Sequence, residues 1–103
     1  METLRERIKN LLMKTKEPLT VDEIALRLGV DRENIKDIYE HLRHVAKTIR
    51  RESSGKLVLY MLPPMCRNCG YVFKNLNKPR KPSKCPKCGS QRIDPPRFII
   101  SEA

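Results

Sequence analysis

Two short cysteine hooks set the terms for this 103-residue chain: Cys66-Arg-Asn-Cys69-Gly70 and Cys85-Pro-Lys-Cys88-Gly89. Fifteen residues separate them, and together they hold every cysteine in the sequence. Thiolates two residues apart can grip one ion from a tight turn. The glycine that follows lets the backbone take a positive φ, so that N–H groups point at the sulfurs. Two such turns facing each other make a closed tetrahedral site, with no position left for water or substrate, and closed sites are structural. The alternatives are two disulfides or four free thiols. Disulfides need an oxidising compartment, and the charged start Met1-Glu-Thr-Leu-Arg-Glu-Arg7 lacks the apolar core of a secretory signal. The expectation is one structural metal ion held by Cys66, Cys69, Cys85 and Cys88 in a cytoplasmic protein. The longest apolar run is Leu57 to Leu62, too short for a membrane span.

Charge is distributed unevenly. Residues 1–52 carry twelve Lys/Arg against ten Asp/Glu, and residues 53–103 carry ten against two. Between Cys66 and Arg92 there are eight basic residues and no acidic one. A four-thiolate zinc site has a formal charge of about −2, which offsets only part of this. Such a stretch either keeps a small ribbon soluble or attracts a polyanion, most plausibly nucleic acid.

The first half of the chain reads as helical. Leu4, Ile8, Leu11 and Leu12 recur at helical spacing between Thr3 and Lys16. Thr3 with Glu6 fits a capping box, and Glu17-Pro18 stops the helix. Thr20 with Glu23 caps a second helix, carrying Val21, Ile24, Ala25 and Leu28 and ended by Gly29. Asp31 can cap a third, from about Arg32 to Lys47, whose stripe is Ile35, Ile38, Tyr39, Leu42, Val45, Ala46 and Ile49. A short helix, a tight turn at Gly29-Val30 and a longer helix form a helix-turn-helix pattern over Thr20–Leu42. Thr48–Glu52 and Lys56–Leu62 then read as two strands around a Ser53-Ser-Gly55 turn, a hairpin in the position of a wing.

Pro63-Pro64 makes a short, stiff joint, so the chain divides into residues 1–64 and 65–103. In the second unit Tyr71-Val-Phe73 reads as a ribbon strand and Asn75–Lys84 as an exposed loop. Phe98, Ile99 and Ile100 are too apolar to dangle and are expected to pack back on the ribbon or the helices. The expected class is α+β: a three-helix winged helix-turn-helix with a hairpin wing, followed by a four-cysteine ribbon.

The sequence resembles small archaeal predicted transcription regulators that join a winged helix-turn-helix to a rubredoxin-like zinc ribbon. The resemblance rests on Thr20–Leu42, the hairpin after it, Cys66-x2-Cys69-Gly70-Tyr71 and Cys85-Pro86-x-Cys88-Gly89. It implies zinc on the four cysteines and a role in DNA binding. The hooks also look like those of rubredoxin itself, where iron serves electron transfer. Rubredoxins are acidic, whereas this segment is strongly basic, and there is no Trp. Zinc is the expected ion, with iron the alternative.

If the third helix enters the major groove, Lys36, Arg43 and Lys47 are the candidates for base or phosphate contact. Arg50, Arg51 and Lys56 would serve the wing and flanking phosphates. Glu33, Asp37 and Glu40 fall on the same helical face, where phosphate would be repelled. The ribbon residues Lys78, Arg80, Lys81 and Lys84 are therefore expected to supply more of any affinity for double-stranded DNA. The competing expectation is a protein-interaction adaptor of the transcription machinery, using helix three or the basic ribbon. No nucleophile–base pair or phosphate-cradling glycine loop is present, so no enzymatic role is expected. His41 and His44 are expected to face solvent rather than a metal, and the oligomeric state is left open.

Overall fold

The computed structural model describes residues 2–76 and 78–103. Met1, and Asn77 within the expected ribbon loop, lie outside them. The first helix, α1 (Leu4–Lys14), opens where the Thr3 hydroxyl accepts the Glu6 N–H at 3.1 Å. It closes two residues earlier than expected, because Thr15 takes an extended conformation. A two-residue strand, β1 (Leu19–Thr20), runs directly into α2 (Val21–Leu28). There Thr20 and Glu23 complete a reciprocal capping box, and Gly29 ends the helix at φ 68°.

The third helix differs from expectation at both ends. Asp31 stands before a 3-10 turn, Arg32–Asn34, but its side chain makes no capping bond. Then α3 spans Ile35–Glu52, so Thr48–Glu52 is helix and not the first strand of a wing. The reason is Ile49. It extends the buried stripe Ile38, Leu42 and Val45 by one more turn and is only 4% exposed. Leaving the helix at Lys47 would withdraw it from the core. Ser53 then turns the chain: its hydroxyl donates to the Ile49 carbonyl at 2.7 Å and accepts the Leu57 N–H at 2.9 Å.

The strand that follows, β2 (Leu57–Leu62), finds its partner at the far end of the chain. It pairs antiparallel with β5 (Arg97–Glu102), which also pairs with β1, giving the order β1-β5-β2. Of the three tail residues Phe98, Ile99 and Ile100, Phe98 is buried among the helices with Ile8, Leu12, Ile24 and Leu42. Leu57, Leu59, Met61 and Ile100 pack on the same core. The result is α+β, with three helices covering one face of a small sheet.

Between β2 and β5 the chain makes a second, smaller sheet from β3 (Met65–Cys66) and β4 (Ile93–Asp94). The two ladders share one register. Leu62 faces Arg97, Met65 faces Asp94, and the intervening positions are Pro63-Pro64 and Pro95-Pro96. Proline has no N–H to give a ladder, so the pairing lapses across both dipeptides and resumes in phase. Pro64 and Pro96 are fully buried. The cysteine ribbon is thus the tip of one long two-stranded arm rooted in the helical core.

Tyr39 of α3 meets Phe98 edge-to-face, with ring centroids 6.5 Å apart. Burial first, and Asp22 second, pushes its phenol up to about 12. The fold therefore favours the neutral phenol. That contribution is complete below pH ~10, the ordinary phenol value, and is lost as pH rises through the folded value. The urea midpoint is expected to fall between about pH 10 and 12, by more in the native chain than in Tyr39→Phe. Equal falls in both proteins would remove the phenol from the account.

Candidate metal centre and basic surface

The two hooks fold as copies of one turn. The Gly70 N–H bonds the Cys66 carbonyl and the Gly89 N–H bonds the Cys85 carbonyl, both at 2.9 Å. The Cys66 N–H reaches Tyr71 O and the Cys85 N–H reaches Ser90 O, both at 2.8 Å. Gly70 and Gly89 sit at φ 79° and 76°, where a side chain is strained whatever the space around it. The turns bring all four Sγ atoms within 4.8 Å of one another. Cys66 to Cys88 and Cys69 to Cys85 are each 3.6 Å. A tetrahedron of Zn–S bonds of ~2.3 Å has edges of ~3.8 Å, so the donor set fits a zinc ion. It does not fit disulfides, which need ~2.05 Å.

N–H groups converge on the sulfurs and prepare them for a cation. The Asn68 side-chain amide reaches Cys88 Sγ at 3.5 Å. That contact, with the Ser90 N–H, lowers the Cys88 thiol to about 6. Burial works against the Cys85 thiolate, yet the Cys88 and Lys87 N–H groups outweigh it and its thiol is lowered. Cys69 receives the Tyr71 N–H, but desolvation and competition with the other three sulfurs leave its thiol pushed up to about 12. Four crowded sulfurs cannot all ionise unless a cation joins them, and a divalent ion removes that conflict. Cys66 and Cys85 are buried with Ile93 and partly buried Phe73, while Cys69 and Cys88 lie at the surface. Tyr71 and Phe73 meet edge-to-face at 5.0 Å. The expected Tyr71–Phe73 strand is reduced to one bridge between Val72 and Met65, closed by the Cys66 N–H to Tyr71 O and Phe73 N–H to Pro64 O bonds. Neither histidine joins the cluster. His44 lies beside Glu40, and His41 is part-buried with Nδ1 unpartnered among the described residues.

Around this centre the ribbon is exposed and basic. Lys78, Arg80, Lys81 and Lys84 all face solvent, and none forms an ion pair among the described residues. Arg67 is the exception in the ribbon, paired with Asp94. On α3, Lys36 is exposed at the acidic N-terminal end beside Glu33 and Asp37. Arg43 is paired with Glu40 at 3.2 Å. Arg50 and Arg51, expected on a wing strand, lie in the last turn of the helix. Lys56 is exposed at the turn into β2. Pro79 of the ribbon loop comes alongside Arg43 and Lys47, so the loop flanks the basic C-terminal half of α3. Sequence reasoning missed the Asn68–sulfur contact and the second Pro-Pro joint. An amide inside the first hook, and a proline pair after the second matching the one before the first, were the available signals.

Residues 3–58 match the model of the PF0610-like N-terminal domain, and residues 63–102 match the PF0610 rubredoxin-like zinc β-ribbon domain. The chain belongs to the PF0610-like family. It is also similar to the solution NMR structure of protein PF0610 from Pyrococcus furiosus, with 36% identity and a TM-score of 0.76. That match covers 97% of this chain and 90% of the other. No curated protein matches. With the ribbon family and the sulfur geometry together, the four cysteines are a structural zinc site. Among the described residues no helix is long and apolar enough to cross a membrane.

Proposed function

We propose that this PF0610-like chain is a double-stranded DNA-binding regulator, in which a winged helix-turn-helix unit carries the zinc ribbon in place of a wing. The order α1, β1, α2, α3, β2, β5 with a β1-β5-β2 sheet supports the winged-helix reading. The ribbon then occupies the connection between the last two strands, where a wing touches flanking backbone. The observation that carries the DNA reading is the group of exposed cations Lys78, Arg80, Lys81 and Lys84, without ion pairs among the described residues, on a loop beside α3. Lys36, Arg43, Lys47, Arg50, Arg51 and Lys56 contribute less, because Glu33, Asp37 and Glu40 share the helix surface. Four sulfurs fill the metal's coordination, so in this reading the chain is not an enzyme.

Replacing Lys78, Arg80, Lys81 and Lys84 by glutamine is expected to lower duplex affinity and to reduce the salt slope by about 0.9 per lost phosphate contact. The same treatment of Lys36, Arg43 and Lys47 should do less. Fluorescence anisotropy across a salt series measures both, and the reverse order would reject the ribbon as the main contact. The acidic N-terminal half of α3 favours a second reading, an adaptor of the transcription machinery. Absence of duplex binding even at low salt would select it.

A further inference from the structure

The outer edge of the sheet has hydrogen-bonding groups with no partner among the described residues. In the order β1-β5-β2, β2 is an edge strand. The Ala103 N–H donates to the Lys56 carbonyl at 3.0 Å, which fixes the alternation along the pair. Val58, Tyr60 and Leu62 turn their N–H and C=O groups toward β5, while Leu57, Leu59 and Met61 turn theirs outward. The Leu57 N–H is taken at 2.9 Å by the Ser53 hydroxyl, whose own proton goes to the nearer Ile49 carbonyl. The N–H and C=O groups of Leu59 and Met61 have no partner among the described residues. Natural edge strands are usually blunted by a charge, a proline or a bulge. Leu57–Leu62 contains neither a charge nor a proline and stays in register with β5 throughout.

That edge opens on a groove whose chemistry selects its occupant. Two adjoining hollows of about 330 and 230 Å³ run between β2 and α3, sharing Ala46, Lys47 and Leu59. Their floor is apolar, with Ala46, Leu59, Met61 and Phe98, and Pro79 of the ribbon loop also lines the larger hollow. Their helix wall is basic, because Arg43, Lys47 and Arg50 recur at helical spacing. Arg43 is occupied by Glu40, but Lys47 and Arg50 form no ion pair among the described residues. A polynucleotide would leave the outward carbonyls and the apolar floor unmatched. A second copy paired β2 to β2 would set one basic wall against another, on chains of net charge +10. An acidic strand meets all three demands.

We propose that the free edge of β2 takes an acidic, extended segment of a partner protein as a fourth strand. Its backbone bonds Leu59 and Met61, and its carboxylates face Lys47 and Arg50. Backbone bonds supply affinity and the alternating side chains supply selectivity, as in other strand additions. The length between Ser53 and Pro63 admits about five residues of added strand. The assignment is independent of the DNA reading, which is tested with duplexes.

The test uses the zinc-loaded, 15N-labelled full chain and the peptide acetyl-Asp-Val-Glu-Val-Asp-Val-Glu-amide. Two controls replace its acids by lysine, or N-methylate every residue so that no N–H faces β2 whichever way the peptide runs. The acidic peptide is expected to shift the Leu59 and Met61 amides, and neither control should do so over the same concentrations. The charge-reversed pair Lys47→Glu and Arg50→Glu, both exposed positions, should weaken the acidic peptide at least tenfold and admit the lysine peptide. Equal binding of the N-methylated peptide, or shifts in the ribbon with the Leu59 and Met61 amides unmoved, would reduce the effect to bulk charge and overturn the proposal. Concentration-dependent shifts at Leu59 and Met61 without peptide, with dimer in sedimentation, would assign the edge to a second copy instead.

Discussion

Stripping the zinc is expected to unfold the ribbon and, in addition, to destabilise the helical unit by about 3 kcal/mol. The ribbon has little else to hold it: Cys66, Cys85 and Ile93 are its buried cluster, with Phe73 packed alongside. Structural zinc sites commonly supply the whole folding free energy of such segments. The effect on the helices follows from topology. With metal, β5 is delivered to β2 by a closed tip and two buried proline joints. Without it, the same pairing must close a loose loop of roughly thirty residues, at about (3/2)RT ln n, near 3 kcal/mol. A domain of this size has ~5–15 kcal/mol of stability, so the helices should persist at 25 °C with a lower urea midpoint. Far-UV circular dichroism with and without chelator reads both effects, and substitution of Cys85 by serine provides a check free of chelator. A helical transition whose midpoint ignores the metal would mean that the tip and the core are not mechanically linked.

The second large effect is at Phe98. Replacing it by alanine should cost about 3–5 kcal/mol, the range for deleting a fully buried aromatic ring. The ring is 1% exposed and lies among Ile8, Leu12, Ile24 and Leu42, with Tyr39 edge-on. For a chain near 100 residues that corresponds to a fall in Tm on the order of 15 °C or more. Phe98→Leu keeps most of the volume and should cost less than about 1.5 kcal/mol, so a graded series remains measurable if the alanine variant fails to fold. The metal should stay bound in the leucine variant, read by zinc content after gel filtration. If the alanine variant loses under 1 kcal/mol, β5 does not belong to the helical core.

Local signals in the sequence located what local forces decide. The capping box at Thr20–Glu23, the stop at Gly29, the stripes of the three helices and the cysteine hooks all depend on neighbours within a few residues. Thr48–Glu52 misled because β-branched Thr48 and Ile49 favour strands, while the burial of Ile49 one turn beyond Val45 outweighs that preference. The partner of β2 was not legible. Strand pairing is set by who reaches whom across the fold, and Phe98-Ile-Ile100 read only as apolar. The continuation of register through two proline pairs needed both partners known before it had meaning. The free edge of β2 stayed hidden for the same reason: an edge exists only once a sheet order exists.

The shared register across the proline pairs also bears on how the chain comes together in time. Leu57 and Glu102 pair although they stand forty-five positions apart, and contacts between such distant positions slow folding. A metal-closed tip turns that search into the zipping of a hairpin from its end. Zinc is therefore expected to act as a nucleus, with refolding rates that rise with free zinc in stopped-flow traces across a zinc series.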